Sequence, residues 1–380
     1  MQPFKVDIPD TAVDRILQRL RDARFAPAPS DDDDWIYGTD AHWLTALVEY
    51  WTTAYDWRAA ERTLNRWPQF KAQVDGMWIH FYYVKGSASR PRPLLLTHGW
   101  PGSVVEFLGC IDRLAHPNRQ GGDAEQGFDL IIPSLPGYGF SDRPTRPMGP
   151  RAVARYWRKL MVDVLGYASF VAQGGDWGAA VTSWLGIDHA DVTRAIHLNM
   201  LPSWVFAPAA DAGEDEHAYH ARVAAMRASE MGYFMVQSTK PQTIALALAD
   251  SPLGFAAWVC EKFRTWGDTH GDIDRRFSRD TLITNLMLYL ITDNVGPAMW
   301  MYRGRAEESP PAPVVPRVEV PTGVACFPAE VIPYPPRHVA ERAYAVAKWS
   351  ELPSGGHFAA LEEPAAFSQD VREFFAHVGF

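Results

Sequence analysis

The stretch that most constrains the fold lies near the middle of the chain, where residues 174–178 read Gly-Gly-Asp-Trp-Gly. The apolar residues 170–172 before it predict a short buried strand, and the residues from Gly178 onward predict a helix. A sharp turn from strand to helix strains its central residue, so the positions two before and two after must be small. Gly174 and Gly178 meet this requirement, and the spacing predicts a nucleophile elbow with Asp176 where serine is usual.

A plainer interpretation of Asp176 is an ordinary helix N-cap, because Asp is common at that position and Gly is common in turns. The two interpretations differ in what they require elsewhere. A catalytic Asp176 needs a histidine and a second acid at other strand ends, whereas an N-cap needs neither.

The first eighty-odd residues predict mainly helices, followed by a hairpin. Asp10 is expected to cap a first helix whose apolar residues have helical spacing: Val13, Ile16, Leu17 and Leu20. A second apolar stripe runs over residues 44–51, and a short helical stretch ends before Pro68. The dipeptide Asp75-Gly76 predicts a tight turn between strands at 70–74 and 78–84.

From about residue 91 the pattern changes to buried strands that alternate with helices. The strands are predicted at 94–97, 129–132, 170–172, 193–198, 322–327 and 345–349, with helices near 153–164 and from Pro364. Such alternation is typical of a mostly parallel, doubly wound α/β sheet, which binds ligands at the carboxyl ends of its strands.

The alternation is interrupted between residues 201 and 313, where the chain predicts helices rich in Met, Trp and Tyr. We interpret this part as an inserted helical cap, followed by a stiff linker at residues 310–316. The predicted organisation is an N-terminal segment at 1–90, a first core part at 91–200, the cap at 201–313 and a second core part at 314–380.

Two further residues follow predicted strand ends in the order that a nucleophile–acid–histidine triad requires. Glu330 ends the sequence Phe-Pro-Ala-Glu after one strand, and His357 follows two glycines after the next. Alone, Glu330 would be an ordinary surface charge and His357 a structural residue. Together with Asp176 they predict a catalytic triad.

The same arrangement needs backbone donors for a developing oxyanion. In this kind of site one donor is the N–H of the residue after the nucleophile, here Trp177, and another comes from an early strand–helix loop. Residues 98–101 read His-Gly-Trp-Pro and make Trp100 the expected second donor. The rings of Trp100 and Trp177 are expected to contact substrate.

An aspartate nucleophile restricts the substrate. A carboxylate is already ionised at neutral pH, and its attack on an ester would give an unfavourable anhydride. Its attack on an electrophilic sp3 carbon gives an ordinary ester, which water can cleave. The chemistry therefore indicates an epoxide or an alkyl halide, with His357 activating water and Glu330 orienting His357.

Composition excludes several other classes of function. A net charge of −9 argues against nucleic acid or an anionic membrane surface as the main partner. Cys110, Cys260 and Cys326 have neither metal-ligand nor disulfide spacing, and no cofactor or metal is predicted.

The first residues lack an apolar signal region, so we expect no membrane anchor and a cytoplasmic location. Residues 31–34 are all Asp, and we expect them to form a solvated loop.

Over nearly its whole length the sequence resembles the microsomal-type epoxide hydrolases, which include the juvenile-hormone epoxide hydrolases and soluble bacterial members. The resemblance is carried by residues 98–102, 174–178, 327–330 and 355–358, and by cap runs at 239–243 and 250–258. It implies an α/β-hydrolase fold with a helical cap and an N-terminal segment wrapped over core and cap. It also implies hydrolysis of an epoxide to a vicinal diol through a covalent ester on Asp176.

The resemblance further implies two cap tyrosines that donate a proton to the epoxide oxygen. Tyr233, in Glu-Met-Gly-Tyr-Phe, and Tyr302, in Met-Trp-Met-Tyr-Arg, occupy the corresponding positions. We expect the protein to differ from the membrane-bound members in having no anchor before the N-terminal segment.

Two other functions stay open at this point. A haloalkane dehalogenase shares the aspartate nucleophile and the cap, and would release halide instead of forming a diol. A catalytically silent relative would bind a ligand without converting it. The sequence leaves open the natural small-molecule epoxide, a role in detoxification or in natural-product biosynthesis, and whether the chain forms a homodimer.

Overall fold

The computed structural model describes residues 1–31, 35–308 and 316–380. The expected solvated loop at 31–34 and the expected linker at 310–316 therefore lie outside the described residues, apart from Asp31 and Pro316.

The described residues form a single nine-stranded sheet. Its strands are β1 (Gln2–Phe4), β2 (Gln69–Val74), β3 (Met77–Val84), β4 (Arg92–Thr97), β5 (Phe128–Pro133), β6 (Phe170–Gly174), β7 (Thr193–Leu198), β8 (Val318–Cys326) and β9 (Tyr344–Glu351). Their order across the sheet is β1-β2-β3-β5-β4-β6-β7-β8-β9. The pairs from β5-β4 to β8-β9 are parallel, and the three pairs before them are antiparallel. The prediction of a mostly parallel α/β sheet is confirmed.

Helices connect and cover these strands. The α-helices are α1 (Asp10–Arg21), α2 (Ala41–Thr53), α3 (Trp57–Leu64), α4 (Ile111–Ala115), α5 (Pro150–Lys159), α6 (Asp176–Asp188), α7 (Glu214–Glu230), α8 (Gly232–Thr239), α9 (Pro241–Asp250), α10 (Pro252–Trp266), α11 (Ile273–Arg276), α12 (Arg279–Ile291), α13 (Val295–Glu308), α14 (Arg337–Ala343), α15 (Ala359–Glu362) and α16 (Pro364–His377). Short 3-10 helices cover Val104–Phe107, Pro117–Gln120, Ala124–Gln126 and Ser203–Val205, and a π-helical turn at Leu160–Val164 extends α5.

Helices lie on both faces of the sheet. Successive residues of a strand point to opposite faces, and in β7 these are Ile196 and His197. Ile196 reaches Gly186 of α6, whereas His197 packs against Phe374 of α16. Helices α6 and α16 therefore enclose the sheet between them, which explains why its central strands are buried along nearly their whole length.

The N-terminal segment packs against helices of the predicted cap. Helix α1 contacts α2, α10 and α12, and it buries Ile16 and Leu20 as its spacing predicts. The expected cap at Asp10 is wrong. Pro9 holds the N-cap position, and Asp10 is the first helical residue, whose carboxylate pairs with Arg58. An acidic residue is favourable there because it faces the positive end of the helix dipole.

The predicted hairpin is confirmed. Asp75 and Gly76 connect β2 to β3, and both have positive φ, at 48° and 81°. Two successive left-handed residues are what a two-residue type I′ turn requires.

All regular elements that the structure describes between β7 and β8 are helices, as predicted for an insertion. Helix α13 packs against α8 and α9, and also contacts α5 of the core. The boundaries at 90, 200 and 313 stay predictions.

No single helix in the described ranges is long and apolar enough to cross a membrane. The pair α9 and α10 passes the same test of length and composition together, but the two helices are bent by 116°. The cytoplasmic location and a homodimer stay predictions.

Candidate active site

The turn between β6 and α6 places Asp176 in the conformation that the sequence predicts. Asp176 has a φ of +48°, which is strained for any residue with a side chain. A Cβ on Gly174 would overlap the backbone of Gly178, and a Cβ on Gly178 would overlap the carbonyl of Thr97. The ordinary N-cap interpretation is wrong, because Gly175 holds the N-cap position and Asp176 is already helical.

The loop after β4 brings a backbone donor to Asp176. The N–H of Trp100 donates to Oδ1 of Asp176 over 2.8 Å. This close approach requires Gly99, since any Cβ there would overlap the Asp176 carboxylate. Trp177 follows Asp176 in the first turn of α6, and its ring is buried. That the N–H of Trp177 acts as the second donor stays a prediction.

His357 contacts both Asp176 and Glu330. Nε2 of His357 lies 3.4 Å from Oδ2 of Asp176, and its Nδ1 lies 2.9 and 3.1 Å from the two carboxylate oxygens of Glu330. The side chains of Glu330 and His357 are 0% and 3% exposed. The structure therefore brings the three residues of the predicted triad together, with His357 between Asp176 and Glu330.

The loops that carry His357 and Glu330 are joined by backbone pairing. Ala329 and Gly356 form a parallel bridge, and the N–H of Ala329 donates to the carbonyl of Gly355 over 3.0 Å. The N–H of His357 donates to the carbonyl of Trp266 over 2.9 Å, which ties the same loop to α10. Two loops held in this way fix the distance between acid and histidine.

Neighbouring charges determine the protonation of His357. Burial alone would lower its pKa, but the carboxylates of Glu330 and Asp176 raise the pKa of His357 well above 6.5. In the resting site the imidazolium of His357 lies between two carboxylates.

The two predicted tyrosines line the same cavity as Asp176. Tyr233 on α8 stacks on Trp100, with ring centroids 5.1 Å apart, and Tyr302 on α13 packs edge-on against Trp177 at 4.7 Å. The two tyrosine rings are 5.7 Å apart. The hydroxyl of Tyr302 is buried and has no hydrogen-bond partner among the described residues. Burial, together with the nearby Asp176 carboxylate, raises the pKa of both tyrosines well above 10. Both are therefore available as proton donors at neutral pH.

Asp176, Tyr233 and Tyr302 line one cavity of about 380 Å³, within the size range of small-molecule sites. Asp176 lies on one side of it, and the remaining lining is mostly apolar or aromatic: Trp177, Met200, Trp204, Met226, Met231, Tyr233, Phe234, Met235, Tyr302 and Ile332.

The sequence analysis missed Glu106. Glu106 lines a second, very small cavity of about 10 Å³ together with Asp176 and His357. Burial raises the pKa of Glu106 to about 8, with the Asp176 carboxylate acting in the same direction and His357 opposing it. The available signal was Ser103-Val-Val-Glu106, a capping-box spacing. Ser103 is indeed the N-cap of the 3-10 helix at Val104–Phe107, so this signal indicates a helix start and not a catalytic site.

Comparison with known proteins places this geometry in a family. The protein-family model for the epoxide hydrolase N terminus matches residues 1–107. The family model for the alpha/beta hydrolase fold matches residues 92–231. A relative from Stigmatella aurantiaca is 42% identical over 98% of this chain and 84% of its own length. Epoxide hydrolase 1 of Sus scrofa is 35% identical over 98% of this chain and 88% of its own length.

A solved structure agrees with these relatives. The crystal structure of juvenile hormone epoxide hydrolase from Bombyx mori matches with a TM-score of 0.86 and 32% identity, over 100% of this chain and 94% of its own. The nearly full-length relatives and the matching N-terminal model show that the chain belongs to the epoxide hydrolases of the α/β-hydrolase fold.

Proposed function

We propose that this epoxide hydrolase converts a small-molecule epoxide to a vicinal diol through a covalent ester on Asp176. The observation that carries the proposal is the position of the Asp176 carboxylate. Its Oδ1 is held by the N–H of Trp100, Oδ2 lies 3.4 Å from Nε2 of His357, and Asp176 lines the cavity. A carboxylate fixed at one oxygen can attack carbon with the other.

In the first step, Oδ2 of Asp176 attacks a ring carbon and the carbon–oxygen bond of the epoxide breaks. The alkoxide that forms takes a proton from Tyr233 or Tyr302, which the raised pKa values keep protonated. The hydroxyl of Tyr302 has no hydrogen-bond partner among the described residues. This supports the role, since a buried donor without an acceptor is costly unless a ligand supplies one.

In the second step, Nε2 of His357 takes a proton from water, and the resulting hydroxide attacks the carbonyl carbon of the ester. The former Oδ1 becomes an oxyanion that the N–H of Trp100 stabilises, with Trp177 as the expected second donor. Collapse of this intermediate breaks the ester carbon–oxygen bond, and the departing alkoxide takes the proton that Nε2 of His357 received from water. The carboxyl group formed on Asp176 gives its proton to the tyrosinate of the first step, which restores both the Asp176 carboxylate and the tyrosine. Glu330 orients His357 through the bonds to Nδ1 and stabilises its charge.

The fate of oxygen from water tests the proposal. In a single turnover with excess enzyme in ¹⁸O-water, we expect the label in the peptide that contains Asp176 and not in the diol, because hydroxide attacks the carbonyl carbon of the ester. Mass spectrometry of the digested protein and of the product measures both. Label in the diol instead would show direct attack of water on the epoxide. Halide release from an alkyl halide, without diol formation from any epoxide, would support a dehalogenase.

The small cavity beside Glu106 is a suitable place for the water of the second step. A cavity of about 10 Å³ is at the lower limit of what holds one water molecule, and Glu106, Asp176 and His357 supply polar partners. A carboxyl group with a pKa of about 8 is largely protonated at neutral pH, so it can donate or accept a hydrogen bond. We assign Glu106 as a residue that positions this water against His357.

Glu106→Ala should slow ester hydrolysis relative to ester formation by several-fold, up to about tenfold, because a neutral hydrogen bond contributes on the order of 0.5–1.5 kcal/mol. Glu106→Gln keeps the shape and hydrogen bonds and should recover part of the loss. Stopped-flow tryptophan fluorescence can follow both steps. Equal slowing of both steps, together with a lower melting temperature, would mean that Glu106 only caps its helix.

A further inference from the structure

The wall of the substrate cavity contains two cations among its apolar side chains. Arg227 on α7 and Arg305 on α13 line the same cavity as Asp176. Met, Trp and Phe side chains form most of the remaining wall. A guanidinium at an apolar wall is costly unless an anion meets it.

Neither arginine has a carboxylate partner in the part of the chain that the structure describes. Elsewhere the protein pairs its half-buried arginines, as with Arg276, which contacts Asp268, Glu362 and Glu363. Within the described ranges, Arg227 donates a single long hydrogen bond, 3.4 Å, to the hydroxyl of Ser203.

Arg305 is held in place without being neutralised. Its guanidinium lies 4.2 Å from the ring centroid of Trp204, and its Nε is buried without a hydrogen-bond partner among the described residues. Burial, and then the charge of Arg227, lower the pKa of Arg305. Two like charges near each other, one of them fixed against an aromatic ring, form a preorganised site for an anion.

We infer that Arg305 and Arg227 bind the carboxylate of a lipophilic epoxide substrate, while its epoxide lies at Asp176 and its hydrocarbon part contacts the apolar wall. The inference rests on the proposed function of the same cavity. The planar guanidinium matches a carboxylate in shape, and bidentate contact is the usual geometry between them. Because Arg227 is exposed, the carboxylate would keep contact with water and lose little solvation.

The test compares an acid with its own ester. The epoxides of oleic acid and of methyl oleate, both below their aggregation concentrations, have the same chain and the same ring and differ in the charge. We expect a higher kcat/KM for the acid, and we expect the acid-to-ester ratio to fall by about tenfold in Arg305→Met, since a charge-assisted hydrogen bond is lost. Arg227→Met should lower the ratio less, and Arg305→Lys should keep part of it. Added salt should reduce the preference of the wild type.

Arg222→Met is the matched control, because Arg222 is exposed on the same helix as Arg227 but does not line the cavity. It should leave the acid-to-ester ratio unchanged. A wild type that converts acid and ester equally well, or an Arg305→Met variant with an unchanged ratio, would overturn the inference and leave the proposed function intact.

A binding measurement separates failure of the inference from failure of the proposed function. Oleate, which has no epoxide, should quench tryptophan fluorescence saturably in the wild type, more tightly than methyl oleate, and about tenfold more weakly in Arg305→Met. If this difference is found while no epoxide is converted, the carboxylate site stands and the proposed function fails. Equal binding of oleate and methyl oleate contradicts the carboxylate site whatever the turnover.

Discussion

The variant His357→Gln is expected to accumulate its own covalent ester. Gln cannot accept a proton from water, so the second step should slow by about 10²–10⁴-fold, the range that general-base catalysis supplies. The first step needs the Asp176 carboxylate, the Trp100 N–H and a tyrosine donor, all of which remain. Intact-mass measurement after mixing with a slowly hydrolysed epoxide should show the protein plus one substrate mass.

Asp176→Asn provides the matched control, because an amide keeps the shape of the side chain but is a poor nucleophile, and this variant should gain no mass. Glu330→Gln should give an intermediate result, slowing hydrolysis by roughly 10²-fold through loss of the group that orients and stabilises the imidazolium. If His357→Gln never gains mass while the wild type turns over, water attacks the epoxide directly.

The pH dependence of the two steps follows from the charges around His357. In the resting site two carboxylates hold the pKa of His357 well above 6.5, so the imidazole is protonated at neutral pH. Ester formation neutralises Asp176 and removes one of these carboxylates, so the pKa of His357 falls and the ring can release its proton. Formation of the intermediate thus produces the base that hydrolyses it. Ester decay should accelerate as pH rises through this lowered pKa, and the midpoint should lie at lower pH in Glu330→Gln, where the second carboxylate is also lost.

The parts of the site that follow from local sterics could be predicted from sequence. The turn at Asp176 demands glycine at 174 and 178, because a Cβ at either position would overlap backbone, and such a demand is visible in any single sequence. Glu330 and His357 follow strand ends, and the carboxyl ends of parallel strands meet at one edge of a sheet. The helical insertion was equally visible, because it interrupts the alternation of strands and helices.

Residues whose function depends on packing between distant elements could not be found in this way. Glu106 carries the spacing of a capping box, and only the folded chain shows its carboxylate beside His357. Neither Arg227 nor Arg305 is part of a recognised motif, and their lack of a carboxylate partner among the described residues is a property of the packed cavity. Tyr233 and Tyr302 were found through resemblance alone, since 14 tyrosines give no local reason to choose two. At Asp10 local reasoning failed, because an acidic residue suits the first turn of a helix as well as its cap.

Removing both tyrosine hydroxyls should nearly abolish ester formation. The opening epoxide leaves as an alkoxide, a poor leaving group that needs a positioned proton donor, and removal of one such donor typically costs about 10²–10³-fold in rate. Tyr233→Phe and Tyr302→Phe keep the rings that pack on Trp100 and Trp177, so each single variant should fold normally and form the ester more slowly. The double variant should lose more than either. Pre-steady-state tryptophan fluorescence measures these rates.

Tyr219→Phe is a matched control for the loss of a buried hydroxyl. Tyr219 lies on α7, its hydroxyl is buried without a partner in the described residues, and it does not line the cavity of Asp176. Its removal should leave the rate of ester formation unchanged, which separates the chemistry of the hydroxyl from its packing. An alkyl halide sharpens the comparison, because halide leaves as a stable anion without a proton. If the double variant still forms the ester from an epoxide at the wild-type rate, neither tyrosine donates the proton, and another group in the cavity must protonate the alkoxide.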